Sequence, residues 1–418
     1  MEAGEVTGMY PMLSVEEALG RVLSGISPLP EEKVPILAAL GRVTSRDVKA
    51  AYDIPPHANS AMDGYAVRAA DTCDATPERP VRLRVIGEVA AGYVPEVQVV
   101  PGTAVRIMTG APIPAGADAV VRFEWTRKEG EHILVERAVP PGQDVRPAGE
   151  DVRAGELVIP AGTRLRPQEL GMLASLGHGE VWVHRRPRVG ILATGDELVG
   201  IDEPLAPGKI RNANSYSNYA QVLRYGGEPV LLGVARDRED DIAERLRAGL
   251  ADGVDLLLVS GGVSVGDFDI VKRVLAAEGK IEFWRVRMKP GKPLAFGFLG
   301  MEGRPVPVIG MPGNPVSAMV SFEIFARPAI LALQGARDLG PLSVIATFAD
   351  AVPRKDGRRH YLRVRLEERD GELFAHLTGD QGSGILSSMV KADGLAIIPE
   401  DWDHVEPGAQ VRVILLRP

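Results

Sequence analysis

The stretch VDLLLVSGGVSVGDFDIVKRVLAAEG, residues 254–279, decides the fold class. After Val254 and Asp255 it has a continuous apolar run at 256–259, then a glycine-rich turn, and then apolar residues at helical spacing. A fully apolar strand followed by a helix is typical of a parallel sheet that is covered on both faces. Because strands and helices alternate in this way from residue 187 onward, we predict an α/β domain with a parallel sheet over residues 186–336.

The turn within this stretch suits a phosphate group. Gly261 and Gly262 allow backbone N–H groups to approach a ligand, and the next helix presents the positive end of its dipole. Ligands of such sheets gather at the carboxyl ends of the strands. A simple βα turn that needs glycine, with Asp267 and Asp269 complementing the helix dipole, explains the same residues, and both interpretations stay open here.

Two enzyme motifs of other classes are disfavoured. The segment GVSVG, residues 262–266, matches the G-x-S-x-G pattern of α/β-hydrolases. However, the neighbouring acids would oppose the charge that develops at an oxyanion site. The catalytic base would also have to come from the β-rich C-terminal part, from His360, His376 or His404. The segment PGKP, residues 290–293, is no Walker A loop, because proline stands where serine or threonine should follow lysine.

Acidic residues follow two further predicted strands. Glu197 lies in LATGDELVG, residues 192–200, and Asp237 comes after LLGVA. The right-handed crossover rule allows the ends of neighbouring strands to meet, so Glu197 and Asp269 could converge. Clustered carboxylates beside a phosphate suit Mg²⁺. Helix capping is an equally good explanation of the TGDE segment and of Asp237.

Basic residues and a second helix start indicate an anion site. The segment RVRMKPGKPLAFG holds four basic residues among prolines and glycines that restrict the chain, namely Arg285, Arg287, Lys289 and Lys292. In GMPGNPVSAMVSFEIF, Pro315 starts a helix and Ser317 lies just inside it. That helix start could receive an oxyanion, although ordinary helix initiation explains Pro315 as well.

The flanking regions predict a multi-domain α/β plus β protein. Ser14 followed by Glu17 predicts a capped amphipathic helix, and Asp370-Gly371 predicts a hairpin. Short β-rich runs separated by glycine and proline precede the α/β region. The four predicted domains are a discontinuous helical and extended domain (1–53 and 151–185), an inserted small β domain (54–150), the α/β domain (186–336) and a C-terminal β-barrel-like domain (337–418).

Composition narrows the function further. The net charge of −8 over 418 residues disfavours nucleic-acid binding. The acidic N-terminus resembles no secretory signal, and we expect no apolar run long enough to span a membrane, so the expected location is the cytoplasm. Cys73 is the single cysteine, and the seven histidines show no zinc-site spacing.

Eight motifs in order support a family resemblance. NSAMDGYAV and RIMTGAPIP alone each indicate only a structured turn. The full set is NSAMDGYAV, RIMTGAPIP, GEDV, TGDEL, SGGVSVGDFD, KPGKP, PGNPVS and QGSGILSSM. Together they resemble the molybdopterin molybdenumtransferase family, which includes the C-terminal domain of gephyrin, and the resemblance covers essentially the whole chain. It implies a central molybdopterin-binding-like α/β domain.

The resemblance also implies a reaction. Adenylylated molybdopterin and molybdate would react, with Mg²⁺ assisting, to give molybdenum cofactor and AMP. The protein would be a homodimer whose shared active site combines the α/β domain of one subunit with the inserted β domain of the other. Molybdopterin adenylyltransferase and molybdoenzymes would be transient partners. The alternatives are a non-catalytic pterin-binding scaffold and an adenylyltransferase-like activity, and the acidic set together with the flanking β domains favours the transferase.

Residues can be carried over from the family motifs by position. The functional acids and their polar partner match Asp63, Thr109, Asp151, Glu197, Asp237 and Asp269. Glu197, Asp237 and Asp269 would organise Mg²⁺ and diphosphate, while Asp63 and Thr109 would reach across the dimer. The oxyanion pocket matches Lys289, Ser317, Arg363 and Ser383. The other predicted ligand-binding residues are Ser260, Gly261, Gly262, Ser264, Lys292, Pro312, Gly313 and Asn314. Arg285 replaces a lysine that is frequent in relatives, which changes the reach and the donor geometry.

Overall fold

The computed structural model describes residues 11–261, 268–300, 305–353 and 356–417. Within these ranges the chain divides into two compact units. One unit contains Arg46–Ala161 and Gly171–Gly179. The other contains the described residues up to Ser45, then Gly162–Leu170, and those from Glu180 onward. The first unit is therefore inserted into the sequence of the second.

The first helix, Val15–Ser24, forms as the sequence predicts. The Ser14 hydroxyl accepts a hydrogen bond from the Glu17 N–H at 3.1 Å, and the Ser14 N–H donates to the Glu17 carboxylate at 2.7 Å. This reciprocal cap satisfies backbone donors that a helix start leaves free. Since residues one turn apart share a face, Val15, Ala18 and Val22 are all buried. The capping motif thus starts the helix and fixes which face packs inward.

A seven-stranded sheet forms the centre of the larger unit. Its strands, in spatial order, are Met12–Leu13, Gly279–Val286, Pro293–Leu299, Val306–Met311, Leu256–Ser260, Arg188–Thr194 and Glu228–Ala235. Four neighbouring pairs are parallel, which confirms the predicted fold class. Pro293–Leu299 runs antiparallel to both of its neighbours. The six residues 287–292 that precede it are too few for a parallel crossover, so this strand returns as a hairpin.

Helices cover both faces of this sheet. Alternate side chains point to opposite faces of a strand, so Ile191 and Leu258 enter one apolar core while Leu192 and Leu257 enter another. The first core also includes side chains of the helices Val15–Ser24, Asn214–Arg224, Pro315–Ser321 and Arg327–Leu333. The second core includes side chains of Glu239–Ala251 and Phe268–Glu278. This arrangement leaves the carboxyl edge of the parallel strands open for a ligand.

One helical run differs from the sequence prediction. Pro315–Leu333, interrupted by a π-helical turn at Phe322–Ala326, is long and apolar enough by composition to cross a membrane. Our expectation that no such run exists was therefore wrong. The run is 83% buried within the protein, because its side chains fill the apolar core against the sheet. It is accordingly a core helix.

The C-terminal part is a closed barrel of five strands, which confirms the predicted barrel-like fold. The strands are Ser343–Phe348, Arg359–Arg369, Glu372–Leu377, Gly394–Ile398 and Gln410–Leu415. The pairing of Arg359–Arg369 with both Glu372–Leu377 and Gly394–Ile398 closes the ring. The hairpin at Asp370-Gly371 is confirmed, with φ of 53° and 81° at the two residues, as a tight turn between twisted strands requires. The short helix Leu386–Val390 lies in sequence between the barrel strands Glu372–Leu377 and Gly394–Ile398.

The inserted unit is built on a six-stranded sheet. Its order is Ala119–Arg122, Gly64–Val67, Thr103–Ile107, Val81–Val89, His132–Val135 and Thr126–Glu129. Two apolar clusters fill its interior. Short ladders elsewhere join Asn59–Ser60 to Val145–Arg146, Val48–Lys49 to Leu157–Ile159, Glu31–Pro35 to Glu180–His184, Leu198–Val199 to Ile210–Arg211, and Val352–Pro353 to His404–Val405. The helix Pro167–Ser175 lies in sequence between the strands Leu157–Ile159 and Glu180–His184.

Candidate active site

A cleft of about 1080 Å³ lies at the carboxyl edge of the central sheet. Its walls come from three sources: the loops after the parallel strands, the basic segment 285–293, and the first half of the barrel. The register of the sheet explains the first wall. Ser260 pairs with Met311 and Ala193 pairs with Ser260, so these strands end side by side and their following loops share one edge. The position agrees with the general rule for ligand sites in parallel sheets.

Two buried hydroxyls mark the floor of this cleft. Thr194 and Ser260 line it, each is only 2% exposed, and neither hydroxyl has a hydrogen-bond partner among the described residues. A buried polar group without a partner costs free energy, so these hydroxyls are ready to bind a ligand. Sequence reasoning included Ser260 but missed Thr194. A signal was available, because Thr194 ends a predicted strand and is directly followed by Gly195 of the TGDE segment.

Glycine is required at the turn that follows Ser260. Gly261 has a φ of 95°, and a Cβ there would clash with the backbone carbonyl of Thr194. A Cβ on Gly313 would come within 3.5 Å of the Gly261 Cα, so two loop backbones run close together. Asn214 fixes the second loop, because its side-chain amide donates to the Gly313 carbonyl at 2.7 Å. At Gly261 and Gly313, the backbones of these segments therefore lie close together.

Arg363 supplies a buried cation to the cleft. It is 1% exposed, its Nε donates to the Ser388 hydroxyl at 3.0 Å, and one Nη donates to the Gly382 carbonyl at 3.1 Å. Within the described residues, no carboxylate lies within salt-bridge distance of this guanidinium. Burial lowers the pKa of Arg363 to about 10, against the opposing field of Asp380. A bound anion would give this buried cation a negatively charged partner.

Two serine hydroxyls and a lysine also line the cleft. Ser317, Ser383 and Lys289 all line it. The Ser383 hydroxyl accepts from the Asn314 side-chain amide at 3.1 Å, and the Ser383 carbonyl accepts from the Val316 N–H at 3.1 Å. The barrel loop is thereby tied to the start of the core helix. The structure thus brings together the four residues that the resemblance assigned to an oxyanion, together with Lys292, Pro312, Gly313 and Asn314.

The predicted acidic set is described only in part. Glu197 lines the cleft and is exposed, whereas Asp237 does not line it and instead accepts a hydrogen bond from the Asp196 N–H at 3.2 Å. Asp269 lies in the first turn of Phe268–Glu278, but its side chain is outside the described residues, as are Gly262 and Ser264. Among the residues that the structure describes, no three His, Cys, Asp or Glu side chains gather as a metal site.

The inserted unit holds the other predicted acids. The Asp63 carboxylate accepts from both the N–H and the hydroxyl of Thr109, at 2.7 and 2.8 Å. These hydrogen bonds, first from the backbone and then from the side chain, lower the pKa of Asp63. Both residues are exposed, and so is Asp151, whose N–H donates to the Ile54 carbonyl at 3.0 Å. The Asp63–Thr109 pair predicted from separate motifs is therefore a contact within one unit.

Family models and known proteins match most of this chain. Residues 13–177 match the model of the MoeA N-terminal region (domain I and II), residues 190–332 match a probable molybdopterin binding domain, and residues 346–416 match the MoeA C-terminal region (domain IV). A molybdopterin molybdenumtransferase of Nostoc sp. is 37% identical over 413 residues, which is 97% of this chain and 94% of that protein. This chain belongs to the molybdopterin molybdenumtransferase family.

Further relatives agree with this membership. A molybdopterin molybdenumtransferase of Bacillus subtilis is 34% identical over 410 residues, covering 97% of this chain and 94% of that protein. The crystal structure of a molybdopterin biosynthesis MoeA protein from Pyrococcus horikoshii OT3 superposes with a TM-score of 0.84 at 36% identity, covering 97% of this chain and 100% of the other. As a molybdopterin molybdenumtransferase family member, the chain is an enzyme with a role in molybdenum cofactor biosynthesis.

Within this family member, sequence reasoning missed one further group of cleft residues. Arg358 and His360 line the cleft, and both contact Asp356. No short motif marks these residues, since their position depends on how the barrel pairs with the basic segment. Gln381 also lines the cleft, and its amide oxygen accepts from the Arg363 N–H at 2.8 Å.

Proposed function

We propose that this chain transfers molybdenum from molybdate into adenylylated molybdopterin and releases AMP. One observation carries the proposal: a single cleft holds a glycine-rich cradle with unpartnered hydroxyls beside a buried arginine that lacks a carboxylate partner among the described residues. The reaction needs both parts, because it cleaves a phosphoanhydride and exchanges ligands at a tetrahedral oxyanion. Holding both reactants in one cleft raises their effective concentration.

The two ends of the cleft would divide the substrates. Thr194, Ser260 and the N–H groups of the glycine turns would hold the diphosphate, in the manner of other backbone anion sites. Lys289, Arg363 and the two serine hydroxyls would hold molybdate, since charged donors make the strongest hydrogen bonds to oxyanions. The pterin dithiolene would lie between them, where its two thiols can bind molybdenum while their protons leave with a displaced molybdate oxygen as water.

Magnesium is part of the proposal. Mg²⁺ prefers oxygen ligands and often binds through one or two carboxylates plus substrate phosphates. Glu197 fits this donor chemistry, because its exposed carboxylate lines the same cleft as the phosphate cradle. Asp237 and Asp269 remain the other two proposed ligands. When bound, the ion would neutralise charge that develops on the diphosphate.

We also propose a cytoplasmic homodimer with a shared active site. Asp63 and Thr109 would act on the substrate that is bound in the cleft of the other subunit, and Asp151 stays a further proposed catalytic acid. The two hydrogen bonds from Thr109 lower the pKa of Asp63 and would hold its carboxylate in place for this role. Molybdopterin adenylyltransferase and molybdoenzymes would then meet the dimer as transient partners that deliver the substrate and receive the product.

A defined reaction tests the proposal. Purified protein is incubated with adenylylated molybdopterin, molybdate and Mg²⁺, and AMP is quantified by chromatography while the cofactor is detected by reconstitution of an apo-molybdoenzyme. We expect both products in equal amounts, and loss of both in Lys289→Ala. AMP release without cofactor would reduce the chain to a hydrolase of the adenylylated pterin, and binding without either product would make it a scaffold.

A further inference from the structure

An acidic side chain lies against the basic residues that line the cleft. Asp356 contacts Arg358, His360 and Lys289, and these three line the cleft together with Arg363. A carboxylate in this place opposes any oxyanion that binds to the same cations, because like charges repel across a few ångströms. Its presence therefore needs an explanation that the binding of molybdate alone does not provide.

Backbone register holds this cluster together. The short strand Met288–Lys289 pairs in parallel with the barrel strand Arg359–Arg369, and Lys289 stands opposite His360. Side chains opposite each other in a sheet share a face. His360 is 5% exposed, and its Nε2 lies 2.9 and 3.0 Å from the two Asp356 carboxylate oxygens. The carboxylate is thus fixed beside Lys289 by the fold.

The strength of the contacts differs within the cluster. Arg358 Nη2 donates to an Asp356 oxygen at 2.7 Å, whereas the Lys289 Nζ lies 4.0 Å from the carboxylate. Lys289 is also half exposed, with 52% of its side chain accessible. A lysine side chain has several rotatable bonds, so Lys289 can turn from Asp356 to a ligand at little cost. Arg358 and His360 would stay with the carboxylate.

Asp356 stays charged in this environment. Burial raises its pKa, but hydrogen bonds from His360 and Arg358 outweigh that effect and hold the pKa at about 2. The repulsion therefore persists at neutral pH and cannot be relieved by a proton. An entering anion has to draw Lys289 away from a permanent competitor.

We propose that Asp356 is an internal counterion that competes with the tetrahedral oxyanion for Lys289 and thereby limits the affinity of the anion pocket. The inference deepens the proposed function and rests on it. Before the substrate arrives, the Asp356 carboxylate keeps the Lys289 side chain oriented. Because the same carboxylate weakens anion binding, the pocket can exchange its anion between turnovers.

The test measures molybdate binding to the full-length protein by isothermal titration calorimetry at neutral pH and fixed salt. Asp356→Asn keeps the shape and removes the charge, so we expect the molybdate dissociation constant to fall by about tenfold. Asp370→Asn is the matched control, because it makes the same charge change at an exposed hairpin of the same barrel. We expect its dissociation constant to stay within about twofold of the wild-type value.

A double-mutant cycle identifies Lys289 as the contested group. In a Lys289→Ala background, Asp356→Asn should tighten molybdate binding much less than it does in the wild type. Equal tightening in both backgrounds would overturn the competition for Lys289. Circular dichroism verifies folding, and if the asparagine variant does not fold, Asp356→Ser provides the same loss of charge with the same expected tightening.

The outcomes separate this inference from the proposed function. If the wild-type protein binds no molybdate, the proposed function fails. If the wild type binds molybdate but Asp356→Asn binds it equally or more weakly, only the counterion role fails, and Asp356 instead positions its cations for the anion.

Discussion

Two regions hold residues that the family motifs mark as functional, yet their hydrogen bonding differs. One is the cleft of the larger unit, and the other is the Asp63–Thr109 pair of the inserted unit, called the Asp63 turn below. In the turn, the Asp63 carboxylate receives two hydrogen bonds from Thr109. In the cleft, the Thr194 and Ser260 hydroxyls have no partner among the described residues, and the nearest acceptors of Arg363 are uncharged. One region is complete by itself, and the other is not.

The difference shows where geometry alone can support a function. Buried polar groups without partners cost stability, so a fold retains them where a ligand or a water molecule satisfies them. The cleft therefore indicates binding without reference to any relative. The Asp63 turn, in contrast, would have the same hydrogen bonds if it served only to fix a loop. Its catalytic role depends on the family resemblance and needs an experiment that separates the two explanations.

The largest expected effect comes from the buried cation. Arg363→Gln should lower the rate of cofactor formation by about 10²- to 10³-fold, as is usual when a preorganised donor to a charged group is lost. The measurement is AMP release at saturating molybdate. Arg369→Gln, on the same strand but exposed and paired with Glu367, should leave the rate nearly unchanged. Equal losses in both variants would mean that the barrel strand is sensitive to substitution in general.

Local signals explain how much of the fold the sequence could predict. The capped helix at Ser14 and the hairpin at Asp370-Gly371 follow from a few adjacent residues, and the structure confirms both. The parallel sheet was predicted from continuous apolar runs, which are typical of strands that are covered on both faces. The antiparallel strand Pro293–Leu299 was not predicted, because its apolar pattern resembles that of a parallel strand.

The candidate site was predictable where motifs lie at strand ends. Ser260 and Gly261 follow an apolar strand directly, and the structure places them in the cleft. Asp356 and His360 escaped prediction because their role depends on the pairing of Lys289 with a strand about seventy residues away. A register of this kind is set by tertiary packing and leaves no local pattern. The predicted magnesium cluster stays a prediction, since the Asp269 side chain lies outside the described residues.

A subunit-mixing experiment tests whether the turn and the cleft belong to one site. Asp63→Asn and Arg363→Gln should each abolish most activity in separate preparations. If each site takes Asp63 from one subunit and Arg363 from the other, a mixture that forms hybrid dimers should regain about one quarter of the wild-type rate, because half of the dimers carry one intact site. No recovery, with hybrid formation verified by mass spectrometry, would place both residues in the same subunit's site.

Two threonine substitutions compare the regions at equal chemical cost. Thr194→Val removes a hydroxyl without a partner among the described residues, so the free energy of unfolding should stay the same or rise slightly while AMP affinity falls about fivefold to tenfold. Thr109→Val removes a hydroxyl that donates to Asp63, so unfolding should become easier by about 0.5–1.5 kcal/mol. Urea denaturation and AMP titration give the two quantities. The contrast between the regions fails if Thr194→Val destabilises the fold as much as Thr109→Val.

Like Asp63, Asp356 has its hydrogen-bonding partners in place, and its pH dependence gives the smallest expected effect. Its pKa is lowered to about 2 from the ordinary value of 3.8, so its contribution to stability is fully present above pH 3.8 and is lost as the pH falls through about 2. The wild type should therefore exceed Asp356→Asn in free energy of unfolding by on the order of 1–2 kcal/mol at pH 6, and this difference should shrink steadily towards pH 2.5. Urea denaturation at several pH values measures it. Removing the same carboxylate should also tighten molybdate binding. A variant that is less stable and yet binds molybdate more tightly would show that Asp356 stabilises the fold while it weakens anion binding. A difference that stays constant with pH would mean that the loss in Asp356→Asn arises from packing and that the charge of Asp356 contributes nothing to stability.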